Sequence, residues 1–280
     1  MSADLSSPDV TTKETSDQST NAVSTRARAT LVGLWPALLI AVIVVAVWYF
    51  AANVWGLPKY ILPSPELILQ EAIDNPDSLL RNGWVTLVEA ATGFAIGVVA
   101  AVLVAVILDS WRFLEKGMSP YLVIGLNIPI VAIAPAVIIW FGFGMTSKIV
   151  VAAILTFFPV AIYTLKGLKA ADRREVDLFS VLSASRFQEL IKLRIPSSLP
   201  FFFAALRVAS AASVLAAVVA EFIQANAGIG YLILTAAYTN DTPRIWAAVA
   251  VSATIALVFY GIVTFVERKT IPWHSSVGDR

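Results

Sequence analysis

Six stretches of this chain are apolar for long enough to cross a bilayer, and this constrains its fold more than any other feature. They are residues 31–54, 84–108, 120–141, 149–165, 199–222 and 245–266. A helix crossing ~30 Å of hydrocarbon needs about 20 mostly apolar residues. The composition agrees: 58% of the 280 residues are hydrophobic and only 14% are charged, against roughly 45–50% and 25% in an average soluble domain. The expected fold is therefore all-α and polytopic, with six transmembrane helices. Residues 1–30 are rich in Ser, Thr and Asp. They cannot bury enough surface to offset their ordering entropy, so they read as a disordered tail. The apolar run that follows Arg26 and Arg28 exceeds the 7–15 residues of a cleavable signal core, which makes it a retained anchor. The membrane domain spans 31–266, and a second tail covers 267–280.

Lys and Arg in the loops set the orientation. Arg26, Arg28, Arg112, Lys116, Lys166, Lys169, Arg173, Arg174, Arg186, Lys192, Arg194, Arg268 and Lys269 fall on one side. The other side holds Lys59, Arg81 and Arg244, with Lys148 at a span end. Both termini and the loop between the fourth and fifth spans are thus expected in the cytoplasm. The segment after the first span lies outside, with a short surface helix beginning after Ser64-Pro65.

The loop before the fifth span is charged yet patterned as helix. Asp172 precedes Glu175, an acidic N-cap with a partner three residues on. Ser185 and Gln188 form an S-x-x-Q capping box, so a second short helix starts at Ser185 and runs to about Leu193. Pro196 is expected to stop it, and Pro200 to sit in the first turn of the next span. The result is helix, tight turn, helix. An amphipathic helix lying on anionic lipid would account for the charges, but two capped helices joined by a fixed turn also suit a docking surface for a cytoplasmic partner.

Within the spans, Pro129 and Pro135 each remove a backbone donor. The third span is therefore expected to be kinked or broken, which membranes tolerate where protein or a water-filled cavity satisfies the freed carbonyls. Asn127, Pro129, Pro135, Thr156, Ser210 and Ser213 are the candidates for lining a solute path. Gly93 and Gly97 are spaced for close helix approach. Glu89, Arg207 and Glu221 are ionisable groups at membrane depth, which normally face the bundle interior or water. Arg207 either snorkels to the interface or pairs with a neighbouring span.

Several chemistries are excluded. The chain has no cysteine, so disulfides, thiolate zinc sites and cysteine nucleophiles are absent. Its one histidine, His274, stands alone in the tail, and no H-E-x-x-H or phosphate-loop motif occurs. The net charge of +1 gives no reason to expect nucleic acid. "GIGYL", starting at Gly228, lacks the third glycine of a dinucleotide turn. No catalytic residue and no metal ligand set is assigned. Any driving force comes from an ion gradient or from another subunit.

The stretch "EVDLFSVLSASRFQELIKLRIPSSLPFFFAALRVA" resembles the EAA signature of binding-protein-dependent ABC importer permeases. The family's acid falls on Asp177, Ala184, Ser185 and Pro196 match, and Leu199-Pro200 and Leu206-Arg207 match as well. "LPSP" at Leu62, "IPIVAIAPAVIIWFGFG" with "SKI" at Ser147, "AEFI" at Ala220, "GIGYLI" and the terminal "PWH" look like the nitrate, taurine and sulfonate group. Within it, they look most like permeases for thiamine-pyrimidine precursors or riboflavin. Leu178 and Phe179 replace the family's two alanines, and Ser183 replaces its glycine. A serine held in the left-handed conformation costs about 1 kcal/mol.

The resemblance implies a type I importer permease fold and an inner-membrane location, with residues 166–197 as the coupling loop. Asp177, Ser183, Ala184, Ser185, Arg186 and Gln188 would lie at the contact with a cytoplasmic ABC ATPase, which holds the ATP and Mg. This chain would bind no cofactor itself. An external solute-binding protein and a second permease copy complete the implied assembly, surrounded by membrane lipid. The solute is expected to be a small polar organic compound, with sulfonate, taurine, nitrate or an aromatic acid as alternatives. A gradient-driven secondary carrier is the rival from a different class.

Overall fold

The structure, a computed structural model, describes residues 35, 36, 38–55, 58–223 and 225–272. The tail at 1–30, the beginning of the first apolar run and the end of the second tail with His274 lie outside the described residues. Helix α1, Leu38–Asn53, is apolar and belongs to a unit of its own. The second unit begins at Pro58. It contains α2 (Pro65–Asp74), α3 (Pro76–Ser110), α4 (Arg112–Asn127), α5 (Ile130–Phe141), α6 (Met145–Leu168), α7 (Arg173–Val181), α8 (Arg186–Glu189), α9 (Ile195–Ile223), α10 (Ile229–Tyr238) and α11 (Thr242–Thr270). Among the described residues all regular structure is helical.

Among the described residues, four helices are long and apolar enough to cross a membrane: α3, α6, the continuous stretch Arg186–Ile223, and α11. They contain the second, fourth, fifth and sixth apolar runs. The third run is divided between α4 and α5, which meet at an angle of 100°. Pro129 stands at the break as the residue before α5, while Pro135 is carried inside α5. The first proline fits a helix start, where its missing N–H costs nothing. Helix α2 starts at Pro65, directly after Ser64, and rests Ile68 and Ala72 on the core formed by Leu79, Val218 and Ile229.

Helices α3, α6 and α9 form the centre. One side of α3 is a stripe of small buried residues: Ala90, Gly93, Gly97, Ala101 and Ala105. From Gly93 on, four-residue spacing keeps them in line and α6 lies against them, while Ala90 packs with Val214 and Ala217 of α9. A Cβ placed on Gly93 would come within 2.5 Å of the Ala152 Cβ and 2.6 Å of the Ile149 carbonyl oxygen. One on Gly97 would meet the Ala153 carbonyl oxygen at 2.6 Å. The G-x-x-x-G spacing therefore serves packing inside one chain, where two backbones approach without intervening side chains. Helix α5 joins the centre through Ala134 and Val137, which pack with Val151, Ala152, Ala216 and Ala220 of α6 and α9.

The helix that starts after Ser185 does not stop at Pro196. It continues through a wider turn, Leu190–Arg194, in which the Ile195 N–H donates to the Leu190 carbonyl five residues back. It then runs on as α9. A proline ring inside an α-helix collides with the carbonyl four residues before it. Widening the preceding turn by one residue relieves such crowding, so Pro196 widens the helix without ending it. Pro200 accordingly sits inside a long helix and not in its first turn. The loop's second limb and the fifth apolar run are one helix of 38 residues.

Candidate functional site

The turn between α7 and α8 is assembled from local hydrogen bonds. Asp172 caps α7 by accepting from the Arg174 N–H at 3.0 Å. At the other end of α7, the Ser183 N–H donates to the Ser180 carbonyl and the Ala184 N–H to the Phe179 carbonyl, both at 3.0 Å. This paired closure is the Schellman arrangement, which needs a left-handed residue just beyond the helix. Ser183 supplies it, with φ +53. Ser185 then opens the next helix: its Oγ accepts from the Gln188 N–H at 3.3 Å, and Gln188 Oε1 accepts from the Ser185 N–H at 2.9 Å. Helix end and helix start are thus fused across three residues.

Around this turn the apolar side chains point outward. Val181 is 81% exposed, Leu182 69% and Phe187 69%. Leu178 is exposed as well, whereas Phe179 is half-buried. Asp177 lines a cavity of about 590 Å³ together with Arg112, Arg173 and Arg194. Arg186 lines a neighbouring one beside Asp109 and Glu189. Asp177 and Arg186 thus line two separate hollows, while Ser183, Ala184, Ser185 and Gln188 form the turn itself.

Arg194 fastens this loop to α3. Its Nη1 lies 3.1 Å from each carboxylate oxygen of Asp109, and its Nε donates to Glu189 Oε1 at 2.8 Å. A planar guanidinium can serve both carboxylates at once. Lys169 also pairs with Glu115, tying the end of α6 to α4. Farther along α9, Arg207 Nη1 donates to Glu267 Oε2 at 2.8 Å. Of the two readings of Arg207, the structure has the pairing with a neighbouring span.

The opposite end of α9 carries a second polar assembly. Glu221 is fully buried. Its Oε1 accepts from the Thr86 hydroxyl at 2.7 Å and its Oε2 from the Gly230 N–H at 2.5 Å. The Ile229 N–H donates to Thr86 Oγ1 at 2.8 Å, and the Gly228 N–H to Asn82 Oδ1 at 2.8 Å. The first turn of any helix leaves its N–H groups without intrahelical partners. Here three successive N–H groups at the start of α10 are met by side chains of α3 and α9. A carboxylate is well placed there, because the helix dipole is positive at that end. "GIGYL" owes its glycines to this contact. Gly228 has φ +110, and a Cβ on it would come within 2.2 Å of Glu221 Oε1. Glu89 is buried beside this assembly, within electrostatic reach of Glu221 and of Lys148. Lys148 Nζ donates to the Gly144 carbonyl at 3.2 Å.

The six pathway candidates separate into two groups. Asn127 and Pro129 at the α4–α5 break and Pro135 within α5 are exposed. Thr156, Ser210 and Ser213 are fully buried in the α3–α6–α9 centre. Ser210 and Ser213 donate to carbonyls of their own helix, those of Arg207 and Ser210, each at 2.8 Å. Sequence reasoning did not find Asp109 or the Thr86–Glu221–Gly230 contact. The usable signal was Glu221 itself, an acid at membrane depth that must have a partner, followed closely by two glycines.

Residues 93–272 match the family described as binding-protein-dependent transport system inner membrane component. The riboflavin transport system permease protein RibX of Chloroflexus aurantiacus is 34% identical over 91% of this chain and 97% of its own length. The formylaminopyrimidine transport permease protein ThiX of Halalkalibacterium halodurans is 32% identical over 86% and 96%. The taurine transport system permease protein TauC of Escherichia coli is 28% identical over 84% and 88%. Among solved structures, the fold is similar to a chain of the MetNI methionine ABC transporter in an inward-facing conformation, with a TM-score of 0.61 and 18% identity over 69% of this chain and 95% of that one. An all-helical chain with several apolar spans, matched along most of its length by such relatives, belongs to the inner-membrane permease components of binding-protein-dependent ABC transporters.

Proposed function

We propose that this chain forms the translocation pathway of an ATP-driven importer and takes its driving force through the turn at Ser183–Ser185. One observation carries this reading: a rigidly closed turn, with apolar Val181, Leu182 and Phe187 exposed around it, lies at the beginning of a 38-residue helix that continues into the bundle. Exposed apolar side chains on a structured loop suit a protein partner. A cytoplasmic ABC ATPase, which carries the ATP and Mg, is that partner. In this reading the chain has six spans, with the loop and both termini in the cytoplasm and α2 and α10 toward the outer face. Two copies of the chain surround the path, and Asn127 and Pro129 at the α4–α5 break, with Pro135 within α5, line it. An external binding protein delivers the solute. The relatives named for riboflavin and formylaminopyrimidine support a flat nitrogen heteroaromatic compound as the solute, ahead of a sulfonate such as taurine.

Purification in mild detergent tests the assembly: an ATPase subunit should travel with the chain, and its absence would remove the reading's main support. Ala184→Arg places a charge in the turn and should abolish solute uptake while the chain stays folded in the membrane. Normal uptake by this variant would refute the docking role. The ligand held by the co-purified binding protein, identified by mass spectrometry, decides the solute.

A further inference from the structure

Helix α10 cannot cross a membrane. Its ten residues span about 15 Å at 1.5 Å per residue, half of the ~30 Å hydrocarbon thickness. It hangs between two long helices. At its end, Asn240 adopts φ +56 and the Asp241 N–H donates to the Ala236 carbonyl, after which Asp241 caps α11 by accepting from the Arg244 N–H. At its beginning it is held by Asn82 and Thr86 of α3 and by Glu221 of α9. Glu221 is the third residue from the end of the helix that starts at Arg186, beside the Ser183–Ser185 turn. The turn and the start of α10 therefore lie at opposite ends of one continuous helix.

That helix is also tied to α3 at both ends. Asp109 and Arg194 join them near the turn, and Thr86 and Glu221 join them near α10. Two antiparallel helices pinned at both ends, and packed between the pins through Ala90 against Val214 and Ala217, resist sliding past each other. They move as one body, and α10 goes with them only as far as the clamp holds it. Beside α10 open two hollows. One is lined by Arg81, Asn82, Asn226 and Tyr231, the other by Ser78, Thr235, Thr239 and Arg244. A protein touching α10 and these hollows presses on the clamp.

We infer that Thr86 and Glu221 are positioning residues that join α10 to the α3–α9 pair, so that contact at the α10 end is signalled to the Ser183–Ser185 turn and movement of the turn is delivered to α10. Thr86 is central, because its hydroxyl donates to Glu221 while accepting from the Ile229 N–H. Val in its place keeps the shape and loses both bonds. Gln in place of Glu221 removes the negative charge at the positive end of α10 and makes the Thr86 hydroxyl turn its proton to the Asn82 carbonyl, 3.2 Å away.

This inference rests on the importer reading, and the test separates the two. The complete transporter, with its ATPase and binding protein, is reconstituted in lipid nanodiscs with wild-type, Thr86→Ser, Thr86→Val or Glu221→Gln permease. The readout is the ratio of ATP hydrolysis with solute-loaded binding protein to hydrolysis without it. Coupling between distant sites typically amounts to a factor of about 5 or more. Thr86→Val and Glu221→Gln are expected to reduce the ratio by at least about fivefold, and Thr86→Ser, which keeps the hydroxyl, by less than about twofold. A wild-type ratio retained in Thr86→Val would overturn the inference. So would an equal loss in Thr86→Ser, or failure of both Thr86→Val and Glu221→Gln to assemble, which would assign the clamp to folding alone. A wild-type complex whose ATPase ignores the binding protein would instead refute the importer reading.

Discussion

Arg194 and Asp109, 85 positions apart, meet through Nη1 lying 3.1 Å from both carboxylate oxygens. The contact joins the widened turn before α9 to the last turn of α3, and Glu189 closes it from the other side. It stands where the loop's second limb becomes a span.

Loss of Arg194 should expose the weakness of this junction. The Asp109 side chain is only 6% exposed, and a poorly hydrated carboxylate stripped of its counter-charge destabilises by about 3 kcal/mol. Arg194→Gln should lower the thermal midpoint in detergent, and Arg194→Gln with Asp109→Asn should recover most of the loss. Arg194→Lys should fall between them, since a single ammonium cannot reproduce the fork. Equal midpoints for the single and double variants would show that the ion pair does not hold the junction.

Ser183 carries backbone strain that glycine would remove. With φ +53 it occupies the left-handed region at a cost of about 1 kcal/mol. Ser183→Gly should therefore raise stability by somewhat less than that, since glycine also gains freedom in the unfolded chain. Ser183→Val, β-branched at a positive φ, should lose stability and speed hydrogen exchange at residues 183–188. A slower exchange in the valine variant would contradict the closure described for this turn.

Gly93 should tolerate no side chain at all. A methyl group there meets the Ile149 carbonyl oxygen at 2.6 Å, and backbone cannot rotate away as a side chain can. Gly93→Ala should reduce the yield of monodisperse protein several-fold, whereas Gly117→Ala, which meets nothing within 4 Å, should leave it intact. Size-exclusion chromatography in detergent distinguishes the two.

Arg207 and Glu267 should behave as a unit. Glu267 has a side chain 4% exposed, so Arg207→Leu leaves a buried carboxylate unpaired, at about 3 kcal/mol. Removing both charges with Arg207→Leu and Glu267→Leu should restore stability to near wild type. A double variant as unstable as the single one would mean that α9 and α11 depend on the charges themselves.

Much of the loop was legible residue by residue. The Asp172 cap and the Ser185–Gln188 box depend on groups two or three positions apart, so their spacing alone predicts the bonds. The serine at a glycine position pointed to the left-handed turn that is present. Pro196 misled for an equally local reason. Proline is a strong stop signal in isolation, yet a single widened turn accommodates it once both sides of the helix are packed. Glu221 and Glu89 were visible as acids at membrane depth. Neither the Gly228–Gly230 segment as the partner of Glu221 nor Asp109 as that of Arg194 could be read from spacing.

The division follows the range of the forces. Hydrophobic runs of span length, helix caps and the break at Pro129 are properties of contiguous residues, and the amino-acid order by itself determines them. Which helices lie side by side is decided by packing across the whole bundle: the fit of Gly93 and Gly97 against α6, and the antiparallel seating of α9 on α3. Only that packing brings Thr86 to Glu221 across 135 positions and Asp109 to Arg194 across 85. A buried charge must find a partner, but tertiary structure alone chooses which one.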